Sequence, residues 1–413
     1  MNVFLRNRDF RNLTINNWIS VFGDTVFYLA LINYVANFEF AEKAIFYITL
    51  SETLPQIAQV FFGAIADFQK DRIQKNIYSL FIRFIFYLSV ALILYNFNFD
   101  LKVVIIICLI NLLSDLLGGL TGSMLVPIYM QIVGDDIASG MGFMQGTKMI
   151  IRTLSNVIGG IALGLFSIEV FALINALTFL FGFFCFILIK KSLSKYEESI
   201  VIDKKLNFKN YIEHLIDSIK LLFKINEMGK LLVIISILQT VVSLIIPVTT
   251  LILIKHPFYN FETGQAIAIL TVLLFVGVII GNICSGSLLK NLKNKTIIFI
   301  SQILNVSILL GFNFNSFIII AIASILCSVS VGLISPRLQT IVFGIVPTNK
   351  MGAIESAINA VGLLIPGFLT ISMVSIVTNF GVLYVTVGLL ILLVIAAIIA
   401  LSMTFNFTLD EKK

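Results

Sequence analysis

The chain has 413 residues, 59% of them apolar and 12% charged, with a net charge of +6. Soluble domains carry about 25% charged residues, so this composition cannot cover a core of that size with a soluble surface. Soluble enzymes, disordered chains and collagen-like repeats are excluded, and the positive excess is read as membrane topology, not nucleic-acid binding.

Twelve apolar segments follow one another along the chain, at 13–36, 44–66, 76–97, 102–126, 141–165, 168–189, 229–254, 264–288, 296–312, 316–335, 352–376 and 380–405. One crossing needs about 20 apolar residues. The pattern predicts an all-α polytopic membrane protein, with twelve transmembrane helices in two pseudo-symmetric six-helix bundles. The first segment is full length and has no small-residue cleavage site, so it reads as a spanning helix and not as a signal peptide. The only long connection divides six helices from six. The expected organisation is an N-terminal bundle over 1–189, a cytoplasmic linker over 190–228 and a C-terminal bundle over 229–413. Within the linker, Phe208, Ile212, Leu215, Ile219 and Leu222 are spaced as on an amphipathic helix at the membrane surface.

Charge sets the orientation. With both termini cytoplasmic, 22 Lys and Arg residues fall on inside segments. Three (Lys43, Lys102 and Lys255) fall outside, and Arg83, Lys148 and Arg152 lie within spans. The halves also echo each other. Pro127-Ile-Tyr-Met-Gln131 and Met141-Gly142 recur as Pro336-Arg-Leu-Gln339 and Met351-Gly352, which supports a duplicated unit. Pro247 and Pro366 are expected to kink their helices. Cys108, Cys185, Cys284 and Cys327 have no metal-ligand spacing. His214 and His256 lie outside the spans and read as surface residues. No phosphate-binding loop, metal-binding H-E-x-x-H or G-x-S-x-G motif is present. No cofactor and no catalytic site are expected.

The loop after the second segment reads Gly63-Ala-Ile-Ala-Asp67-Phe-Gln-Lys70-Asp71-Arg72. It resembles the signature loop of the major facilitator superfamily, at Gly63, Asp67 and Arg72. The second half repeats the frame at Gly286, Lys290 and Lys295, with Lys in place of the acid. The N-terminus, Arg6-Asn-Arg8-Asp-Phe10-Arg11 followed by Gly23-Asp24, is similar to the drug-exporter branch that includes macrolide and enterobactin efflux proteins. Two departures stand against the better-known antiporters: Asp115, not Arg, precedes Gly118 and Gly119, and no Pro accompanies Gly159, Gly160 and Gly164. The resemblance implies a secondary transporter whose first, second, fourth and fifth helices in each half border a central cavity. It also implies a conformational latch formed by Gly63, Asp67 and Arg72 with the start of the eleventh helix, near Glu355.

An ionisable group at bilayer depth costs at least about 2.5–3.5 kcal/mol and survives by facing a cavity or a partner. Glu52, Gln56, Gln59, Gly63 and Asp67 form one helical stripe, and Gln145, Lys148, Arg152 and Asn156 form another. Asn111 shares a face with Asp115, and Asp24 with Tyr28. A carboxyl group held away from bulk water can carry a proton at neutral pH. Asp24, Asp115 and Glu52 are therefore candidates for proton coupling. The alternatives are an ion pair of Asp24 with Lys148 or Arg152, and an interhelical structural bond for Glu52. Tyr28, Gln56, Asn111, Gln145, Lys148, Arg152, Asn156 and Gln239 are substrate-cavity candidates. Lys148 and Arg152 repel each other and call for a nearby acid or anion. Arg83 is expected to snorkel toward the cytoplasmic side.

The leading expectation is proton-coupled efflux of a small amphiphilic compound by alternating access. The alternative is transport of an anionic metabolite or siderophore-like compound, taken up by symport. A third class is a sensor that has lost transport. The expected partners are a small-molecule substrate, protons and the lipid bilayer, with the chain a monomer. Richness in Ile, Asn, Lys and Phe points to an AT-rich bacterial genome and so to a bacterial cytoplasmic membrane.

Overall fold

The structure, a computed structural model, describes residues 2–67, 69–134, 137–198, 208–224, 228–285, 294–345 and 351–403. Fourteen helices and no strand occur among the described residues. They are α1 (Asn2–Arg6), α2 (Arg8–Val35), α3 (Ala41–Asp67), α4 (Arg72–Asn96), α5 (Leu101–Val133), α6 (Ile137–Ala162) and α7 (Ile168–Glu198). Then come α8 (Phe208–Lys224), α9 (Met228–Lys255), α10 (Thr263–Ser285), α11 (Asn294–Asn313), α12 (Phe317–Ile345), α13 (Met351–Phe380) and α14 (Val382–Leu401). Twelve of these have 20 or more residues, and ten are long and apolar enough to cross a membrane among the described residues. The chain is a multi-pass integral membrane protein. The two long helices outside that set, α3 and α6, are the ones that carry the polar stripes.

Helices begin and end on local chemistry, often outside the apolar segments. Asn7 caps α2 by accepting from the backbone N–H groups of Asp9 and Phe10 at 2.9 and 3.1 Å. Asp100 caps α5 by accepting from Val103 N–H at 2.8 Å. Gly134, at φ +64°, ends α5 in a conformation that glycine tolerates best. Pro127, placed by the sequence after the fourth apolar segment, stands inside α5. The helix continues through it because the flanking residues Leu125, Ile128 and Tyr129 remain buried against neighbours. At the start of α4, the Glu197 carboxylate of α7 accepts from the N–H groups of Arg72 and Ile73, satisfying donors that a helix start leaves open.

The chain divides into two compact units, Met1–Phe208 and Lys209–Lys413. In the first, α4 lies along α7, α3 along α5, and α2 against both α6 and α7. Tyr87, Phe10, Phe27 and Phe179 are fully buried there. In the second, α10 and α11 flank α12, and α9 packs on α13 and α14. Gly277 and Gly281 of α10 meet the α12 backbone directly: a Cβ on Gly281 would lie 2.1 Å from Val329 O. Only glycine permits that approach. The two units repeat one detail. Phe38, in the loop after α2, packs on Phe99 just before α5. Phe258, in the loop after α9, packs on Phe317 at the start of α12. Phe223 of α8 sits over Gly229 of α9, and Leu215 and Leu222 of the apolar face of α8 are buried.

Candidate functional site

Arg83 corrects the reading of the sequence. It was expected to snorkel from near the end of its helix. Because α4 starts at Arg72, Arg83 lies about 16 Å along it, near the middle, too deep for its side chain to reach the interface. It is buried, with 7% exposure, and its guanidinium joins four helices. Nη2 donates to Asp24 Oδ2 of α2 at 3.0 Å, and Nε donates to Ser114 Oγ of α5 at 2.9 Å. Asp115 Oδ1 lies 3.7 Å from Nη2. The plane covers the Phe179 ring of α7, with Cζ 3.9 Å from its centroid. Gly118 leaves room for this: a Cβ there would stand 2.7 Å from Arg83 Nη1. Asp24 also accepts from Asn175 Nδ2 of α7 at 3.1 Å. The partner of Asp24 is thus Arg83, and not Lys148 or Arg152 as the sequence alternative had it.

A second chain of bonds runs beside the first. Tyr87, one turn beyond Arg83 on α4, donates its hydroxyl to Asn111 Oδ1 of α5 at 2.5 Å. Asn111 Nδ2 donates to Glu52 Oε1 of α3 at 3.0 Å and to Ser51 Oγ at 3.4 Å. Glu52 is half-buried, and Asp24 and Asp115 keep 33% and 23% of their side chains exposed. Three carboxylates and one arginine are therefore held inside a single bundle by neutral donors and an aromatic face. Such a network is stable only when every member is bonded, since breaking a buried pair costs about 3–5 kcal/mol.

The other predicted residues separate into groups. Lys148 and Arg152 of α6 have exposed side chains. Arg152 acts electrostatically on Tyr28, Glu52 and Asp115, and Lys148 lies in the field of Asp24. Asn156 is buried and spends its amide on Arg152 O of its own helix, at 2.8 Å. Gln56 and Gln59 line the exposed face of α3 below Glu52. Gln239 is exposed on α9, in the other unit. The Gln145 side chain lies outside the described residues. Of the latch residues, Gly63 is exposed on α3, while the side chains of Asp67 and Glu355 lie outside the described residues. Arg72 is buried within the first unit, donating to Gln69 O at 3.0 Å and Met124 O at 3.4 Å.

Sequence reasoning missed Arg83, Tyr87, Ser114 and Asn175 as parts of the network. One available signal was the helix start: counting from the charged loop at Asp71 places Arg83 three turns deep. The second unit differs in kind. Among its described side chains within α9–α14, the charged ones (Lys230, Lys255 and Lys295) all stand within three residues of a helix end. Where α4 carries Arg83, α11 carries the neutral, buried Ser301, Gln302 and Asn305.

Residues 13–369 match the family model described as Major Facilitator Superfamily. The chain belongs to that superfamily. No curated protein matches it in sequence. Among solved structures it is similar to a POT family transporter in complex with a thioalcohol-conjugated peptide, at 11% identity and TM-score 0.68, covering 96% of this chain and 97% of that one. It is similar to a bacterial homologue of the iron transporter ferroportin in an inward-facing state, at 11% identity and TM-score 0.66, covering 96% and 98%. It is also similar to the nucleoside transporter NupG, at 13% identity and TM-score 0.62, covering 95% and 98%. These likenesses show the fold.

Proposed function

We propose that this member of the Major Facilitator Superfamily is a proton-coupled secondary transporter that moves a small amphiphilic compound by alternating access. The observation that carries the reading is the Asp24–Arg83–Asp115 cluster: two carboxylates sharing one guanidinium inside a helical bundle. Intramembrane charges are costly, and in transporters they mark proton and substrate paths. With one arginine serving two acids, one acid can take a proton while the other keeps its ion pair. Glu52, bonded through Asn111, is the third proton-carrying candidate, and Tyr28, Gln56, Gln145, Asn156 and Gln239 are candidates for contact with the compound.

The family supports rocking of two bundles around a midplane site, with Gly63, Asp67, Arg72 and Glu355 as a cytoplasmic latch. The charge bias along the chain supports cytoplasmic termini in a bacterial cytoplasmic membrane, and a monomer suffices. The likeness of the N-terminus to drug exporters makes outward movement the first direction to assay. The test is transport in proteoliposomes under an imposed pH gradient. The expected result is compound movement that depends on the gradient and is lost in Asp24→Asn and Asp115→Asn. Movement unaffected by both substitutions would remove proton coupling from these residues.

A further inference from the structure

Two cations on α6 stand apart from the bonded network. Lys148 and Arg152 are one turn apart, and both are about 15 Å or more from either end of their helix, beyond the reach of a snorkelling side chain. Neither side chain makes an ion pair with a described residue. Arg83, at similar depth, is bonded on every side. The acids around them are already engaged: Asp24 and Asp115 by Arg83, and Glu52 by Asn111. Both cations nevertheless lie within electrostatic range of that cluster, Arg152 of Glu52 and Asp115 and Lys148 of Asp24. Two repelling cations, exposed, mid-helix and beside carboxylates already bonded elsewhere, have counter-charge nearby but no ion-pair partner in contact among the described residues.

We infer that the transported compound carries an anionic group (a carboxylate, sulfonate or phosphate) that docks on Lys148 and Arg152. This deepens the proposed function and rests on it for the transport of a compound and for the proton coupling, while binding of an anion at Lys148 and Arg152 is tested apart from both. The charges at this level are Asp24, Glu52 and Asp115 against Arg83, Lys148 and Arg152, with Tyr28 and Tyr87 beside them and the neutral Asn175 facing from α7. Three negative charges balance three positive ones when every acid is ionised. Each proton taken up by an acid leaves the cluster positive, and an anion restores neutrality. Protons and anion therefore favour each other's binding, and by linkage each raises the affinity of the other by the same factor.

Trp18, the single tryptophan, is a built-in reporter. Its indole N–H donates to Thr147 Oγ1 at 3.1 Å, next to Lys148. The probes are 8-anilinonaphthalene-1-sulfonate and N-phenyl-1-naphthylamine, which share their ring system and differ by the sulfonate. Quenching of Trp18 fluorescence is measured with the full chain in lipid nanodiscs. The sulfonate is expected to quench saturably and to bind about tenfold or more tightly than the neutral probe. Lys148→Gln with Arg152→Gln is expected to bring the two probes to equal affinity. The charge-preserving pair Lys148→Arg with Arg152→Lys should retain the preference, which separates lost charge from lost folding. Sulfonate affinity should also rise as the pH falls. Absence of saturable sulfonate quenching, equal affinity of the two probes in wild type, or unchanged binding in the Gln pair would overturn the anion site. A sulfonate preference with no pH dependence would leave the anion site standing and overturn the coupling alone.

Discussion

Replacing Arg83 by glutamine should be among the most damaging single changes in the first unit. The substitution keeps much of the side-chain length and removes the charge. It strips Asp24 of a 3.0 Å ion pair, Ser114 of a 2.9 Å donor and Phe179 of its cation. Removing one partner of a buried pair costs about 3–5 kcal/mol. Asp24 and Asp115 are partly exposed and can discharge by taking up protons, so the net loss should be about 2–4 kcal/mol. At about 2–4 °C per kcal/mol for a unit of this size, the thermal midpoint should fall by ~5–15 °C. The assay is thermal unfolding of wild type, Arg83→Gln, Asp24→Asn and the double variant, followed through Trp18 fluorescence. The cycle should return a coupling of about 1–3 kcal/mol, with the double variant more stable than Arg83→Gln alone. Additive effects, or a loss in Arg83→Gln under about 1 kcal/mol, would show that the cluster is no cohesive unit and would refute the burial argument.

Arg152→Gln should leave the midpoint nearly unchanged, because its exposed side chain makes no ion pair with a described residue; a drop like that of Arg83→Gln would show a bonded partner in the protein. Gly281→Ala should destabilise by about 1–3 kcal/mol, since its methyl would meet Val329 O, and a neutral result in the same melt would mean that α10 and α12 can separate freely. Glu197→Ala should cost about 0.5–2 kcal/mol by uncapping α4, read as faster hydrogen exchange over the first turn from Arg72; unchanged exchange there would dismiss the cap. Infrared difference spectra between alkaline and acid pH should show a protonated-carboxyl band that weakens in Asp115→Asn or Glu52→Gln, and a spectrum without such a band would deny these acids a proton.

The membrane class and the helical plan were legible because they rest on sums over many residues. Apolar run length and the spacing of Lys and Arg survive errors of several residues at each boundary. Polar stripes on α3 and α6 were legible because helical spacing alone puts Glu52 and Gln56, and Lys148 and Arg152, on one face of their helices. Partnership was not legible, because it depends on which helices touch. Arg83 looked peripheral in its own segment, yet α4 lies along α7 and against α5, which turns its guanidinium toward Asp24, Ser114 and Phe179. A boundary shift of four residues at Arg72 was enough to move Arg83 from the interface to mid-helix. The extension of α5 through Pro127 was hidden for a related reason: proline signals a stop in sequence, but burial of its neighbours carries the helix past it.

The decisive measurement follows interior pH in proteoliposomes. Liposomes holding the wild-type chain and the pH dye pyranine are given 8-anilinonaphthalene-1-sulfonate from outside. The sulfonate stays ionised and carries no proton by itself, so an interior pH change must come through the protein. Coupling through the Asp24–Arg83–Asp115 cluster predicts a pH change on addition that is absent from empty liposomes and abolished when Asp24→Asn and Asp115→Asn are combined. No pH change in wild type, or the same change in the double variant, would contradict it.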